Sequence, residues 1–159
     1  MRKALIDTND SCSASRTPEE WLELERMAKA EITSEDPNFP IEWALSLGKG
    51  PGWRAATVGT QIIRLVFDEP KDLRRIKLVF SEAETERSQE FTLRWARDPN
   101  GPFREIVRQQ WNFSPRGSTC EIEDYSVDLK AVAVLELRLI PDIGAGPALA
   151  TLNILRLGG

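Results

Sequence analysis

Residues 90–113 read EFTLRWARDPNGPFREIVRQQWNF, and their alternation decides the fold. Phe91, Leu93 and Trp95 fall on one parity against Thr92, Arg94 and Ala96, the period-two pattern of a half-buried strand. Asp98-Pro99-Asn100-Gly101 follows, with proline and glycine where a tight turn takes them. The return run then puts Val107, Gln109, Trp111 and Phe113 on one face and Arg108, Gln110 and Asn112 on the other. This is a hairpin with a core face and a polar face. Parity favours Trp111 in the core, with Gln109 the one polar residue beside it.

The same reading extends in both directions. QIIRLVF (61–67) aligns Ile63, Leu65 and Phe67; IKLVF (76–80) aligns Ile76, Leu78 and Phe80; and DEPKD (68–72) reads as a turn between two strands. EDYSVDL (123–129) and AVAVLELRLI (131–140) read as two further strands. In ALATLNILRL (148–157) the inward phase switches parity, which predicts a bulge or burial on both faces. Before the strands, Thr17-Pro18-Glu19-Glu20 is a capping box, and Trp21, Leu24, Met27, Ala28 and Ile32 form one helical stripe. Residues 1–16 are polar and aperiodic and read as a mobile tail. About eight strands after one short N-terminal helix predict an all-β chain, an antiparallel sandwich or jelly roll, as a single domain over residues 17–159.

Composition removes several chemistries. The 159 residues contain no histidine, which excludes Ser-His-Asp and Cys-His nucleophiles and imidazole-ligated zinc. Two distant cysteines, Cys12 and Cys120, cannot build a structural zinc site and read as free thiols. A net charge of −4 gives no general attraction to nucleic acid or anionic lipid. No stretch approaches the roughly 20 apolar residues of a membrane span, and the opening residues build no signal-peptide core, so a cytoplasmic location is expected. No cofactor is called for.

The order of segments resembles the galactose-binding-domain-like jelly roll shared by discoidin and coagulation-factor type C domains and by several carbohydrate-binding modules. EITSEDPNFPIEWAL (31–45) is similar to that family's opening strand and Ser-containing bend, and GWRAATVGTQIIRLVF (52–67) to its Trp followed by Gln and an apolar strand. SQEFTLRWARDPNGPFREI (88–106) resembles its Asp-x-x-Gly hairpin, and LELRLIPD (135–142) with ATLNILRLGG (150–159) its two closing strands. The resemblance covers Ala30 to Leu157. It implies a non-catalytic binding module whose loops at one end of the sandwich line the ligand site, with Trp53 and Arg54 as candidates. Two departures stand out. The cysteines do not occupy the chain ends that secreted members tie together, and no counterpart of the hydrophobic spike loops is present, which argues against membrane docking.

Arg108, Gln110 and Asn112 complete the candidate ligand residues, since planar cationic and amide groups hydrogen-bond sugar hydroxyls or a partner's backbone. Carbohydrate recognition is the leading expectation, and a protein-interaction or structural module the alternative. LGKGPGWRA (47–55) is glycine-rich but lacks the Gly-Lys-Ser/Thr ending of a phosphate loop and reads as a turn-rich connection. Glu121, Glu123, Asp124 and Asp128 suggest a carboxylate pair or hard-cation ligands. Glu121 and Glu123, however, share a strand face, where they repel and are expected to prefer water. No metal ligand is assigned. Arg64, Arg94 and Arg138 lie on the polar phases of their strands, with Glu136 available to neutralise them.

Overall fold

Ladder register organises the molecule. The computed structural model describes residues 21–46 and 48–159, so the tail at 1–16, the capping box at 17–20 and Cys12 lie outside the described residues. Elements follow in the order α1 (Leu24–Met27), β1 (Ala28–Ile32), α2 (Glu42–Leu45), β2 (Trp53–Arg54), β3 (Gln61–Ser81), β4 (Arg87–Ala96), β5 (Arg104–Phe113), β6 (Cys120–Ile140), β7 (Thr151–Leu152) and β8 (Ile154–Gly158). All pairings are antiparallel.

The β4–β5 hairpin forms as its alternation predicts, with Gln89 opposite Trp111, Phe91 opposite Gln109 and Leu93 opposite Val107. Its turn closes through Gly101 N–H donating to Asp98 O at 2.9 Å and Asn100 N–H to Asp98 Oδ1 at 2.9 Å. Gly101 sits at φ +93, a conformation that disfavours side chains with a Cβ.

Two expectations about chain breaks are corrected. DEPKD is not a turn between two strands, and the two runs on either side of Lys130 are not separate: β3 and β6 are continuous ribbons of 21 residues each, paired along their length. Each ribbon bends midway. The β3 register shifts between Val66 and Arg75, Ala131 of β6 takes φ 54, and Asp72 Oδ1 accepts the Ala131 N–H at 2.9 Å. Pro70 falls within the irregular stretch, where no ladder donor is required. Beyond the bend both strands enter a second layer. One layer has the order β1–β3–β6–β4–β5, and the other consists of β8, the second half of β3 and the first half of β6. Phe80 of the second layer stacks on Phe91 of the first with ring centroids 5.4 Å apart, which closes the sandwich core.

The N-terminal stripe is also corrected. Only Leu24–Met27 is helical, and Ala28–Ile32 is an edge strand bonded to Ile63–Phe67 of β3. A single helical turn buries one side chain, Leu24, whereas the strand satisfies an open row of β3 backbone groups; tertiary pairing overrides the short helical period. The single turn of α2 is a second helix where only one was expected. In the last run the switch of parity takes the second predicted form, burial on both faces, without a bulge in the β8 ladder. Asn153 breaks the strand, donating its N–H to Val79 O at 2.9 Å, and every residue of β8 is buried.

On the outer face of the first layer, Arg64 and Arg94 clamp one carboxylate. Arg64 Nε lies 2.7 Å from Glu136 Oε2, and Arg94 Nη2 lies 2.6 Å from Oε1, with Glu136 fully buried. Removing it leaves two cations facing each other, each retaining over a third of its side-chain exposure and therefore partly solvated. Glu136→Ala is expected to lower the unfolding free energy by about 2 kcal/mol, less than for a fully desolvated pair. A urea midpoint unchanged from that of the parent would contradict this.

Candidate ligand-binding cleft

The loop end of the sandwich is organised by a buried amide. Gln61, at the start of β3, is 2% exposed. Its Oε1 accepts the Thr33 hydroxyl at 2.8 Å and the Ser34 hydroxyl at 2.7 Å, while its Nε2 donates to Thr57 O at 3.1 Å. Trp53 Nε1 donates to Ser34 O at 3.1 Å. The segment between β1 and β3 is thereby held at both ends by side chains, in addition to the pairing of β2 with β7. Gly52 supports the arrangement: at φ +123, a Cβ there would stand 2.5 Å from Leu152 O. Trp53 is 1% exposed, so its ring cannot stack on a ligand. Trp53, expected as a ligand contact, is instead packed in the core.

Arg54 follows Trp53 in β2. Its backbone pairs with Thr151 of β7, and its guanidinium lies 4.2 Å from the centroid of the Phe39 ring. This stacked cation borders a cleft of about 420 Å³ lined by Ser81, Glu82, Glu84, Thr85 and Thr151. A smaller hollow of about 150 Å³ continues past Arg54 to Phe39 and Asn153. Asn153 is fixed by accepting the Ser81 N–H at 2.8 Å and donating to Pro51 O at 3.1 Å. An aromatic face, a guanidinium, two carboxylates and three hydroxyls therefore converge from four separated segments, a donor and acceptor set suited to a polyhydroxylated ligand.

Arg108, Gln110 and Asn112 project together from β5, an edge strand, as the parity predicts, and all three are exposed. They already have partners: Arg108 lies 3.2 Å from Glu105 on its own strand and 3.7 Å from Glu90 across the hairpin, Gln110 Nε2 donates to Glu90 at 3.1 Å, and Asn112 Oδ1 accepts the Ser88 hydroxyl at 2.7 Å. They do not line the Arg54 cleft. The five candidates thus separate into one core residue, one residue at the cleft and three on an exposed strand face. Phe39, Glu82, Glu84 and Thr85 carried no signal in the sequence, because loops distant along the chain bring them together.

The acidic run is corrected as well. Glu121 does not prefer water: it is fully buried, and Gln89 Nε2 donates to its Oε1 at 3.0 Å. Burial, then the hydrogen bond and charge of Glu123, push its pKa up to about 8. Tyr125 donates its hydroxyl to Glu123 Oε2 at 3.1 Å; burial and the same carboxylate raise its own pKa. On the opposite face, a bidentate contact from Arg75 at 2.9 and 2.6 Å holds Asp124 below the usual carboxylate range. Glu121 and Glu123 stand side by side on one strand rather than facing each other across a cleft, and no group of three or more metal-ligating side chains occurs among the described residues. Cys120 is disulfide-bonded, which overturns the expectation of free thiols.

The two bent ribbons, the five-stranded and three-stranded layers and the loop-end cleft define a galactose-binding-like β-sandwich. No family model matches the chain and no curated protein matches it. Solved structures do. Chitosan-binding module 1 of a chitosanase/glucanase from Paenibacillus sp. IK-5 superposes with a TM-score of 0.63 at 18% identity, covering 87% of this chain and 99% of that one. The family 32 CBM from C. perfringens NanJ, in complex with galactose, superposes with a TM-score of 0.62 at 13% identity, covering 86% and 96%. The N-terminal domain of the single-strand break repair protein XRCC1 reaches 0.60 at 10% identity, covering 84% and 99%.

Proposed function

We propose that the chain is a non-catalytic carbohydrate-binding module that takes a neutral or weakly charged sugar in the cleft beside Arg54. The observation that carries the reading is the Arg54 guanidinium stacked on Phe39 at the border of a polar cleft at the loop end. Similarity in fold to modules described as chitosan-binding or bound to galactose supports it. The disulfide at Cys120 supports an oxidising compartment, in place of the cytoplasmic expectation.

The test is a broad glycan array followed by calorimetry on the strongest sugar. Arg54→Ala removes a charge-assisted hydrogen bond and the stacked cation, and is expected to weaken binding by at least about tenfold with the unfolding midpoint little changed. Gln110→Ala and Asn112→Ala are expected to bind like the parent. An array blank across all glycans sinks the reading, and loss of binding in the β5 variants with Arg54→Ala unaffected would move the site to the strand face.

A further inference from the structure

Arg156 is a buried cation that no carboxylate neutralises among the described residues. It lies on β8, where every residue is buried, and is itself 4% exposed. Nη1 donates to Ala44 O at 2.7 Å and to Leu155 O at 2.9 Å. Nε is buried with no hydrogen-bond partner, and Nη2 makes no hydrogen bond among the described residues. A buried guanidinium satisfied on only one edge is costly unless something completes it.

Arg156 also lines a pocket of about 250 Å³ that shares no lining residue with the Arg54 cleft. Trp21, Leu22, Leu24 and Leu45 form its apolar wall, and Ser46 adds a hydroxyl. The other charges at its rim are already matched: Arg26 pairs with Glu23 at 3.3 Å, and Lys49 pairs with Glu25 at 2.9 Å. Ser46 and Lys49 hydrogen-bond Glu25 and hold its pKa below the usual carboxylate range, so this carboxylate stays charged. One positive charge is left over, and it faces the pocket.

We propose that this pocket is a second binding site, separate from the Arg54 cleft, for a small monocarboxylate with a ring or apolar body. The Nε–Nη2 edge of Arg156, whose buried Nε lacks a partner, is the edge that meets a carboxylate's two oxygens with parallel hydrogen bonds. Trp21 and the leucines take the body of the ligand. One unmatched positive charge neutralises a monocarboxylate but leaves a dianion with an uncompensated charge against an apolar wall, so a carboxylate is selected over phosphate.

The test is NMR titration of the full chain, following the arginine Nε–H resonances and the Trp21 indole, with acetate, glucuronate, benzoate and inorganic phosphate. Saturable shifts of the Arg156 Nε–H and the Trp21 indole are expected with the carboxylates, tighter for the two bearing a ring than for acetate, and with no saturation by phosphate. Glucuronate outranking benzoate would identify an acidic sugar as the source of the carboxylate; the reverse would identify an aromatic acid. Arg156→Lys keeps the charge but not the fork and is expected to weaken binding by at least about tenfold. If that variant fails to fold, Trp21→Ala serves instead, weakening the ring-bearing acids while leaving the acetate response in place. Arg54→Ala should leave every one of these responses intact, so this proposal stands or falls apart from the sugar cleft. An Arg156 Nε–H resonance unmoved by any carboxylate, or moved equally by phosphate, overturns it.

Discussion

Glu121→Gln is expected to flatten the dependence of stability on pH. In the folded chain Glu121 is buried against Gln89 and Glu123, and its pKa rises to about 8 from an ordinary value of 4.5. Between those values the folded state holds a proton that the unfolded chain has released, so the unfolded state binds fewer protons and stability falls as pH rises. The contribution is complete below pH 4.5 and is lost progressively as the pH climbs through about 8. Glutamine keeps the acceptor for Gln89 and cannot ionise. Relative to the parent, the variant should therefore gain on the order of 3 kcal/mol on moving from about pH 5 to about pH 9. Urea unfolding at a series of pH values measures this directly. A variant whose stability falls with pH as steeply as the parent's would place the proton elsewhere.

How far the sequence carried depends on which interactions fixed each element. The β4–β5 hairpin was legible because alternation, a turn with Asp, Pro and Gly, and cross-strand pairing all agree over residues 90–113. The two-sided burial of β8 was legible because Leu152 and Ile154 share one parity and Leu155 and Leu157 the other. DEPKD misled because its composition suits a reversal, whereas the chain only bends; the contact that maintains the bend, Asp72 to the Ala131 backbone, spans 59 residues and leaves no local trace. The stretch from Leu24 to Ile32 is ambiguous by itself, since helical and alternating patterns coincide over a short window, and the open edge of β3 decides between them.

The site was legible only in part, for the same reason. Arg54 was marked by its place after a tryptophan and before the Gln-led strand. Phe39 lies between β1 and α2, Glu82 and Thr85 between β3 and β4, and only the completed sandwich brings these two loops to Arg54. Burial was the harder quantity to read. Trp53 and Arg54 are adjacent in the chain, yet one is sealed in the core and the other borders solvent, because a two-residue strand sends neighbouring side chains to opposite faces.

That contrast gives the largest single effect expected in this molecule. Trp53 is 1% exposed, packs within the main core, and donates its indole N–H to Ser34 O at 3.1 Å, the carbonyl beside the hydroxyl that Gln61 accepts. Trp53→Ala removes the ring, opens a cavity and leaves that carbonyl short of a donor, and should cost about 4 kcal/mol. Trp53→Phe keeps most of the volume and loses chiefly the hydrogen bond, and should cost about 2 kcal/mol. Chemical denaturation reads both. Under conditions where Trp53→Phe is folded, it should bind sugar like the parent, since the ring touches no ligand. If Trp53→Ala instead unfolded at the parental midpoint while losing sugar binding, the ring would have to contact ligand after all, and its burial beside Arg54 would describe a closed state of the cleft rather than its foundation.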